Sequence, residues 1–241
     1  MRFRLTTWVW MLWIPACAVS EGKRAAWTEA DFPPVTRAEA LEIGRGYTTL
    51  RWLPTERNVR HGRDRRGVLV DTPDVSYQKP GAVPGWWVPG QWNTGMPYQW
   101  GGFSSPQEFL EGIAQGRAAG DVYTTEKRRQ LEAAVSREAV GVDCSGFVSR
   151  CWKLPRAYST RELASLCDRL PSWNDLRPGD LLNTYNVHCL LFVRWVDPMR
   201  TKVRVLESGT LGVWGTVERE HEVGKLISFG YQALRYRKMR D

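Results

Sequence analysis

The spacing of apolar residues changes along this chain, and the change limits the folds that the chain can adopt. Three segments in its first two thirds have the composition and apolar spacing of helices. These segments are residues 36–45, 106–140 and 144–154. The first is expected to end near Gly44 or Gly46, and the second to form two helices with a break near residues 116–121.

The last third of the chain changes to segments rich in Val, Leu and aromatic residues, which are typical of strands. The predicted strands are residues 181–183, 188–196, 203–207 and 226–235. Because helices come first and strands follow, the predicted fold class is α+β, with helices packed on an antiparallel sheet.

A chain of 241 residues is long enough for one large core and a smaller accessory segment. We expect the main domain at residues 95–241 and an N-terminal extension at residues 21–94 that wraps the core. Pro and Gly interrupt residues 47–97, so no second independent core is expected there. Four tryptophans of a Gly/Pro-rich stretch are expected to fill the core or, alternatively, to line a groove. They are Trp86, Trp87, Trp92 and Trp100.

Residues 1–20 have the pattern of a signal peptide that directs export. Arg2 and Arg4 precede an apolar run at residues 5–14, and small residues follow it. This run has about half of the ~20 residues that a transmembrane helix needs, so a membrane span is the weaker alternative. The predicted location is therefore secreted, periplasmic or cell envelope.

Residues 14–17 also resemble a bacterial lipobox, in which Cys17 would carry a lipid anchor. Pro15 departs from that pattern, and cleavage after Ala18 or Ser20 would leave no lipid. Membrane contact is thus expected only through the signal peptide or through a lipid on Cys17.

The basic character of the chain favours contact with polyanions, because its formal net charge is +8 and its pI about 9.4. Nucleic acid, anionic lipid and an acidic cell wall all satisfy that condition. The densest basic run, residues 57–66, is interrupted by Asp64 and has no nucleic-acid-binding motif. We therefore expect a solvated loop there and no nucleic-acid partner.

The cysteine and histidine residues give no pattern of a metal site. Four cysteines follow the signal peptide, namely Cys144, Cys151, Cys167 and Cys189. An even number in an exported protein suggests disulfides, but Cys144 and Cys151 are too far apart on one predicted helix to bridge. With only three histidines and no C-x-x-C spacing, neither a metal nor another cofactor is expected.

Residues 141–148, with the sequence Gly-Val-Asp-Cys-Ser-Gly-Phe-Val, have the features of a nucleophile at the start of a helix. Asp143 is a suitable N-cap, which places Cys144 in the first turn, where the helix dipole stabilises a thiolate. Ser145 and Gly146 are small and leave the sulfur accessible. An isolated cysteine in this position is more often a buried apolar residue, so the assignment needs a partner.

That partner is His188, at the start of the strand predicted after a Pro-Gly-Asp-Leu turn at residues 178–181. A lone histidine in such a place can be a core residue with satisfied hydrogen bonds. Because a cysteine segment precedes it in the order expected of thiol hydrolases, the two together predict a Cys–His pair.

These segments resemble the NlpC-type family of cell-wall cysteine peptidases. The similarity rests on Asp-Cys-Ser-Gly-Phe at residues 143–147, on the turn at residues 178–181 and on His188. Residues 98–102, Tyr-Gln-Trp-Gly-Gly, are similar to the Tyr-x-Trp-Gly-Gly element of the same family. The resemblance covers about residues 95–209.

The resemblance implies a papain-like fold in which the cysteine helix packs on an antiparallel sheet that carries the histidine. Cys144 would attack an amide carbonyl, and His188 would act as its base and then as an acid. The hydroxyl of Tyr98 and the backbone N–H of Cys144 would stabilise the oxyanion. Substrate contacts are expected from Trp100, Asp143 and Ser145.

The family orients its histidine with a polar residue on the following strand, and Glu207 is our prediction for that position. A slip of one residue in the register would turn Glu207 to the other face of the sheet, and a solvated glutamate is the alternative. Residues 104–140 depart from the family pattern as a helical insertion between Tyr98 and Cys144, which would wall or cap the groove.

Three functions are compatible with these residues. The first is hydrolysis of an amide bond in the stem peptides of peptidoglycan, by a monomeric enzyme acting on peptidoglycan or muropeptides. The second is an acyltransferase or deamidase acting on another exported substrate, which the insertion motivates. The third is a non-catalytic cell-wall-binding protein with an aromatic groove and a positive charge.

Overall fold

A computed structural model describes residues 32–210 and 212–241 of the chain. The predicted signal peptide at residues 1–20 and the lipid-bearing candidate Cys17 lie outside the described residues. Phe32–Asp241 form one compact unit.

The described residues contain six α-helices. In chain order they are α1 Arg37–Thr48, α2 Pro106–Ala114, α3 Thr125–Gln130, α4 Cys144–Cys151, α5 Thr160–Ser165 and α6 Val223–Ser228. Capping boxes begin α1, α2 and α5, since a Ser or Thr accepts from the backbone of a Glu three residues later and that Glu accepts in return. Single turns of 3-10 helix lie at Glu56–Asn58, Leu131–Ala134 and Trp173–Asp175.

The first seven strands are short. They are β1 Val35–Thr36, β2 Arg51–Trp52, β3 His61–Arg63, β4 Leu69–Asp71, β5 Asn93–Thr94, β6 Ala118–Ala119 and β7 Ala139–Val140. The remaining strands are β8 Cys167–Arg169, β9 Leu181–Thr184, β10 His188–Trp195, β11 Lys202–Thr210, β12 Val213–Glu222, β13 Gln232–Tyr236 and β14 Met239–Arg240.

Six of these strands form the main sheet, in the order β12-β11-β10-β9-β13-β8. Every neighbouring pair in this sheet is antiparallel. The other strands pair two by two, β1 with β14, β2 with β5, β3 with β4 and β6 with β7. Mixed helix and antiparallel sheet confirm the α+β class that was predicted.

Alternating side chains give the main sheet two apolar faces. On one face Leu191 and Leu206 pack with Phe147 of α4 in the larger core, to which α1 also contributes. On the other face Leu190 and Val205 belong to a smaller core closed by α6. Because successive residues of a strand point to opposite sides, β10 and β11 contribute to both cores.

Part of the predicted N-terminal extension lies within the larger core. Trp52 and Trp87 are fully buried there together with Phe147 of α4. Trp92, by contrast, is 62% exposed and lies under the guanidinium of Arg51. Tryptophans of this part of the chain therefore divide between core and surface.

The Pro-Gly-Asp-Leu turn before β9 is held by a buried carboxylate. Asp180 is fully buried and forms salt bridges with Arg37 of α1 at 3.1 Å and with Arg235 of β13 at 2.7 Å. A buried charge is tolerated when it is paired in this way. The turn therefore ties the start of β9 to the first helix and to the next strand of the sheet.

The region predicted as a helical insertion, residues 104–140, contains α2 and α3 and thus has the two predicted helices. It also contains β6 and β7, a parallel pair that was not predicted. Between the helices, the fully buried Asp121 accepts a hydrogen bond from Lys127, whose side chain is 4% exposed.

Two parts of the C-terminal prediction were wrong. The segment 226–235 begins inside α6 and becomes a strand only at Gln232, and β12 was missed altogether. β12 carries charged residues at most positions from Glu218 to Glu222, because it is the edge strand of the sheet and much of it faces water. Such a strand lacks the apolar run on which the prediction relied.

The four cysteines of the described residues are free thiols. Within those residues no helix is both long enough and apolar enough to cross a membrane.

Candidate active site

Cys144 is the first residue of α4, and Asp143 is the N-cap of that helix. Oδ1 of Asp143 accepts hydrogen bonds from the Gly146 N–H at 2.5 Å and from the Ser145 hydroxyl at 3.1 Å. A Cβ on Gly146 would lie 2.2 Å from the carbonyl oxygen of Gly102, so this position requires glycine. The helix start is thereby fixed against the Gly-Gly element, with the thiol in the first turn.

His188 is the first residue of β10, opposite Thr184 of β9 in the ladder. The turn between them is closed by the Val187 N–H, which donates to the Thr184 carbonyl at 3.0 Å. Asn186 takes the left-handed conformation there with φ 63°, which asparagine adopts more readily than most residues. The tight turn delivers the imidazole beside the helix start, with its side chain 17% exposed.

Cys144 and His188 interact, and each shifts the pKa of the other. The pKa of Cys144 is lowered well below its ordinary value, most of all by a hydrogen bond from the Cys189 thiol, with burial opposing and His188 assisting. Burial lowers the pKa of His188, but the charge of Cys144 and hydrogen bonds to Cys144 and Glu207 raise it to about 10. These shifts favour a thiolate–imidazolium pair at neutral pH.

Glu207 lies on β11 with its side chain 1% exposed, and its two oxygens have separate partners. Oε2 is 3.3 Å from Nε2 of His188, and Oε1 is 2.8 Å from Nε2 of His221. Burial raises the pKa of Glu207, but the hydrogen bonds of His188 and His221 outweigh it and hold the pKa at about 2. The register thus brings the predicted third residue to the histidine, as a carboxylate.

Tyr98 is buried close to the helix start. Its backbone N–H donates to the Trp214 carbonyl at 3.0 Å, and its ring lies against the backbone of Gly209. Burial raises the pKa of Tyr98 well above its ordinary value, and the charges of Asp143 and Cys144 raise it further. The hydroxyl therefore stays protonated and keeps its capacity to donate a hydrogen bond.

Asp143 has a second property besides capping. Burial, followed by the charge of Cys144, raises its pKa to about 7 in spite of the hydrogen bonds that it accepts. Its carboxyl group thus titrates near neutral pH beside the sulfur.

Trp100 packs against the inserted region. Its indole N–H donates to the Leu131 carbonyl at 3.2 Å, and its ring meets Tyr123 edge-on at 5.6 Å. In α3, which lies between Tyr123 and Leu131, the Arg128 guanidinium donates to the Asn186 carbonyl at 2.6 Å. Asn186 belongs to the turn that precedes His188. The insertion therefore contacts both the Tyr-Gln-Trp-Gly-Gly element and the turn that carries the histidine.

Three residues near the pair were not predicted from the sequence. His221 contacts Glu207, the Cys189 thiol contacts Cys144, and burial followed by the charge of Glu207 raises the pKa of Tyr231. Cys189 directly follows His188, so its position was visible in the sequence. His221 lies on the unpredicted strand β12, and only the recognition of that strand would have found it.

The arrangement combines a nucleophile, a proton donor and a buried carboxylate that faces the donor. A thiolate can attack an electrophilic carbonyl carbon, and an adjacent imidazolium can protonate the group that leaves. Within the residues that the structure describes, no group of three or more His, Cys, Asp or Glu side chains is arranged to hold a metal ion.

In comparisons with known proteins, neither a family model nor a curated protein matches the chain.

Proposed function

We propose that this chain is an exported cysteine hydrolase of the NlpC type, with a papain-like fold, that cleaves an amide bond in the stem peptides of peptidoglycan. The observation that carries the proposal is the pairing of Cys144 at the start of α4 with His188 at the start of β10, whose pKa values are shifted in opposite directions. A purely structural cysteine has no need of such a partner, and burial by itself would raise its pKa.

Catalysis would begin from the thiolate–imidazolium pair. The Cys144 sulfur attacks the carbonyl carbon of the amide, the C–N bond breaks, and His188 gives its proton to the leaving amine. Water then adds to the acyl-enzyme with His188 taking its proton, and the carboxylate product leaves Cys144 free. One water molecule is consumed for each amide bond cleaved.

Two donors are suited to stabilise the oxyanion of this reaction. The N–H of Cys144 belongs to the first turn of α4, whose N–H groups have no acceptor within the helix. The buried hydroxyl of Tyr98 is the second donor, because its raised pKa keeps it protonated. Asp143, Ser145 and Trp100 border these groups and are the proposed substrate contacts.

The choice of peptidoglycan rests on the resemblance of residues 95–209 to the NlpC-type family, on the signal-peptide pattern of residues 1–20 and on the net charge of +8. A basic protein is attracted to an anionic cell wall. Export would bring the protein to that wall, in the periplasm or outside the cell.

The test is to incubate the purified protein with muropeptides and to identify new amine and carboxylate ends by mass spectrometry. The wild type is expected to cleave, and Cys144→Ala to lose all cleavage while it stays folded. Cys167→Ala is the matched control, since β8 lies three strands away from β10 in the sheet. Cleavage that persists in Cys144→Ala would disprove the proposed nucleophile.

A second candidate, an acyltransferase or deamidase on another exported substrate, is favoured by the contacts of the insertion. The contacts of Trp100 with Leu131 and of Arg128 with Asn186 place the inserted region beside the groups that would meet a substrate. Model acyl and glutaminyl substrates, assayed beside muropeptides, separate the two candidates. The third candidate, a binding protein without catalysis, predicts that Cys144 titrates like an ordinary thiol. The lowered pKa of Cys144 argues against this candidate.

A further inference from the structure

His221 and His188 contact the same carboxylate from two different strands. β10 and β12 flank β11 in the sheet, so Glu207 of β11 lies between the two histidines. Nε2 of His221 is 2.8 Å from Oε1, and Nε2 of His188 is 3.3 Å from Oε2. Each oxygen of the buried carboxylate therefore has its own imidazole.

The contact between His221 and Glu207 is not one that ordinary strand pairing produces. In the β11–β12 ladder His221 is opposite Val203, while Glu207 is opposite Val217. Four residues of a strand span ~13 Å, so both side chains must extend along the sheet to meet. An extended, converging pair of side chains points to a specific interaction rather than to a neighbour contact.

The carboxylate of Glu207 needs this second partner because its side chain is 1% exposed. A buried charge that loses a hydrogen bond either becomes neutral or moves to find another partner. His188 contacts only Oε2, and Nε of Arg219, which also faces Oε1, is 3.8 Å away from it. His221 is thus the closest donor to Oε1 among the described contacts.

We propose that His221 is a positioning residue of the candidate active site: by holding Oε1 of Glu207, it keeps Oε2 directed at His188. With Nε2 of His188 engaged by Glu207, the other ring nitrogen is left to face Cys144. The inference rests on the proposed function and extends it to a residue on the edge strand.

The environment of Glu207 contains four charged or titratable groups that bear on the test. They are His188 on β10, Arg219 and His221 on β12, and Tyr231 between α6 and β13. Of these, Tyr231 carries no positive charge and Arg219 is beyond hydrogen-bond distance from Oε1. Replacement of His221 therefore changes the closest partner of Oε1 and leaves the others in place.

The test measures the pH dependence of Cys144 alkylation in the full chain, by quantifying the Cys144 peptide in a mass spectrometer. This readout needs no substrate, because only the thiolate reacts. Wild type is compared with His188→Ala, His221→Ala, His221→Gln and His221→Asn. Glutamine places an amide N–H₂ about as far from Cα as Nε2 of histidine, whereas asparagine is one carbon shorter.

We expect His221→Ala and His221→Asn to shift the alkylation profile of Cys144 upward by about one pH unit, which makes alkylation about tenfold slower on the acidic limb of the profile. His221→Gln is expected to keep the wild-type profile, because it donates to Oε1. A merely structural role would lower thermal stability in the variants without separating Gln from Asn. His61→Ala is the matched control, since His61 also contacts carboxylates but lies on β3.

Two outcomes overturn the inference, and they differ from failure of the proposed function. If His188→Ala loses the activated thiol while His221→Ala and His221→Asn keep it, His221 has no positioning role and the Cys–His pair stands. If His221→Ala does not fold, the comparison uses the other two variants. Equal alkylation profiles of Cys144 in His221→Gln and His221→Asn then overturn the inference. An ordinary thiol titration in the wild type overturns both proposals together.

Discussion

Nε2 of His188 lies 3.3 Å from Oε2 of Glu207, although the two residues are not opposite each other in the sheet. Leu191 of β10 pairs with Leu206 of β11, so His188 lies two residues before the position of its strand that is opposite Glu207. The contact is diagonal and depends on both strands keeping this register. Changes at Glu207 should therefore act on catalysis through the histidine.

Glu207→Gln removes the negative charge next to His188 and keeps a side chain of the same size. The pKa of His188 should fall, and with it the fraction of thiolate–imidazolium pair at neutral pH. We expect kcat/KM for amide cleavage to drop about 100-fold, at the low end of the range for proton-transfer groups. Glu222→Gln, a change of an exposed residue on the same sheet, is the control and should leave the rate unchanged.

The pH dependence of hydrolysis should be broad and differ from that of alkylation. Activity should appear as Cys144 ionises, well below the ordinary thiol pKa, and fall as His188 loses its proton near pH 10. Alkylation needs only the thiolate and should not fall on the alkaline side. Rate profiles measured from pH 4 to 11 check this, and a parallel alkaline decline in both reactions would contradict it.

Gly209→Ala should displace Tyr98. The added Cβ would lie 2.2 Å from Cδ2 of Tyr98, and φ at this position is +74°, which disfavours alanine. We expect a fall in kcat with a smaller change in KM, because Tyr98, the proposed oxyanion donor, moves. Gly224→Ala in α6 is the control, with open space around the added Cβ, and should be neutral or slightly stabilising.

Lys127→Met should destabilise the fold by about 3 kcal/mol, because it leaves the buried carboxylate of Asp121 without its cation. Burial raises the pKa of Asp121 to about 6, with Lys127 opposing that rise. Without Lys127, folded Asp121 should bind a proton at higher pH than the unfolded chain does. In the wild type the loss of stability from Asp121 ends near pH 6, so the variant should differ by continuing to lose stability as pH rises above 6.

The double variant Asp121→Asn/Lys127→Met tests whether the two residues act as a pair. It should recover part of the stability lost in Lys127→Met, since no buried charge remains. Denaturant unfolding of the wild type, both single variants and the double variant measures this. If the losses in the free energy of unfolding of the two single variants add up to the loss of the double variant, Asp121 and Lys127 are not coupled.

Asp143→Asn should lower the pKa of Cys144 further, because it removes a carboxyl group that titrates near pH 7 beside the sulfur. The asparagine side chain keeps an oxygen that accepts from Gly146, so stability should change little. Asp143→Ala removes the cap and should cost about 1 kcal/mol. Alkylation profiles and thermal unfolding of both variants separate the electrostatic role from the capping role.

Local signals predicted much of the structure around the site. The helix that starts at Cys144 and the strand that starts at His188 were both expected at those residues and both occur there. An N-cap followed by a helical run and a turn followed by an apolar strand are features of a few neighbouring residues. Tertiary contacts did not have to be known for either.

The edge of the sheet was not predictable in the same way. β12 has charged residues where a buried strand has apolar ones, and α6 occupies part of a segment predicted as strand. In both places the local composition was ambiguous, and packing against β11 or against the smaller core decided the structure.

The sequence by itself determined the α+β class, the helix start at Cys144 and the strand start at His188, because each depends on residues close together in the chain. Only the tertiary structure decided that Glu207 faces His188 and that His221 holds its other oxygen. Those contacts join residues 19 and 14 positions apart on neighbouring strands. Strand register and the direction of extended side chains set them, and neither is encoded by local spacing.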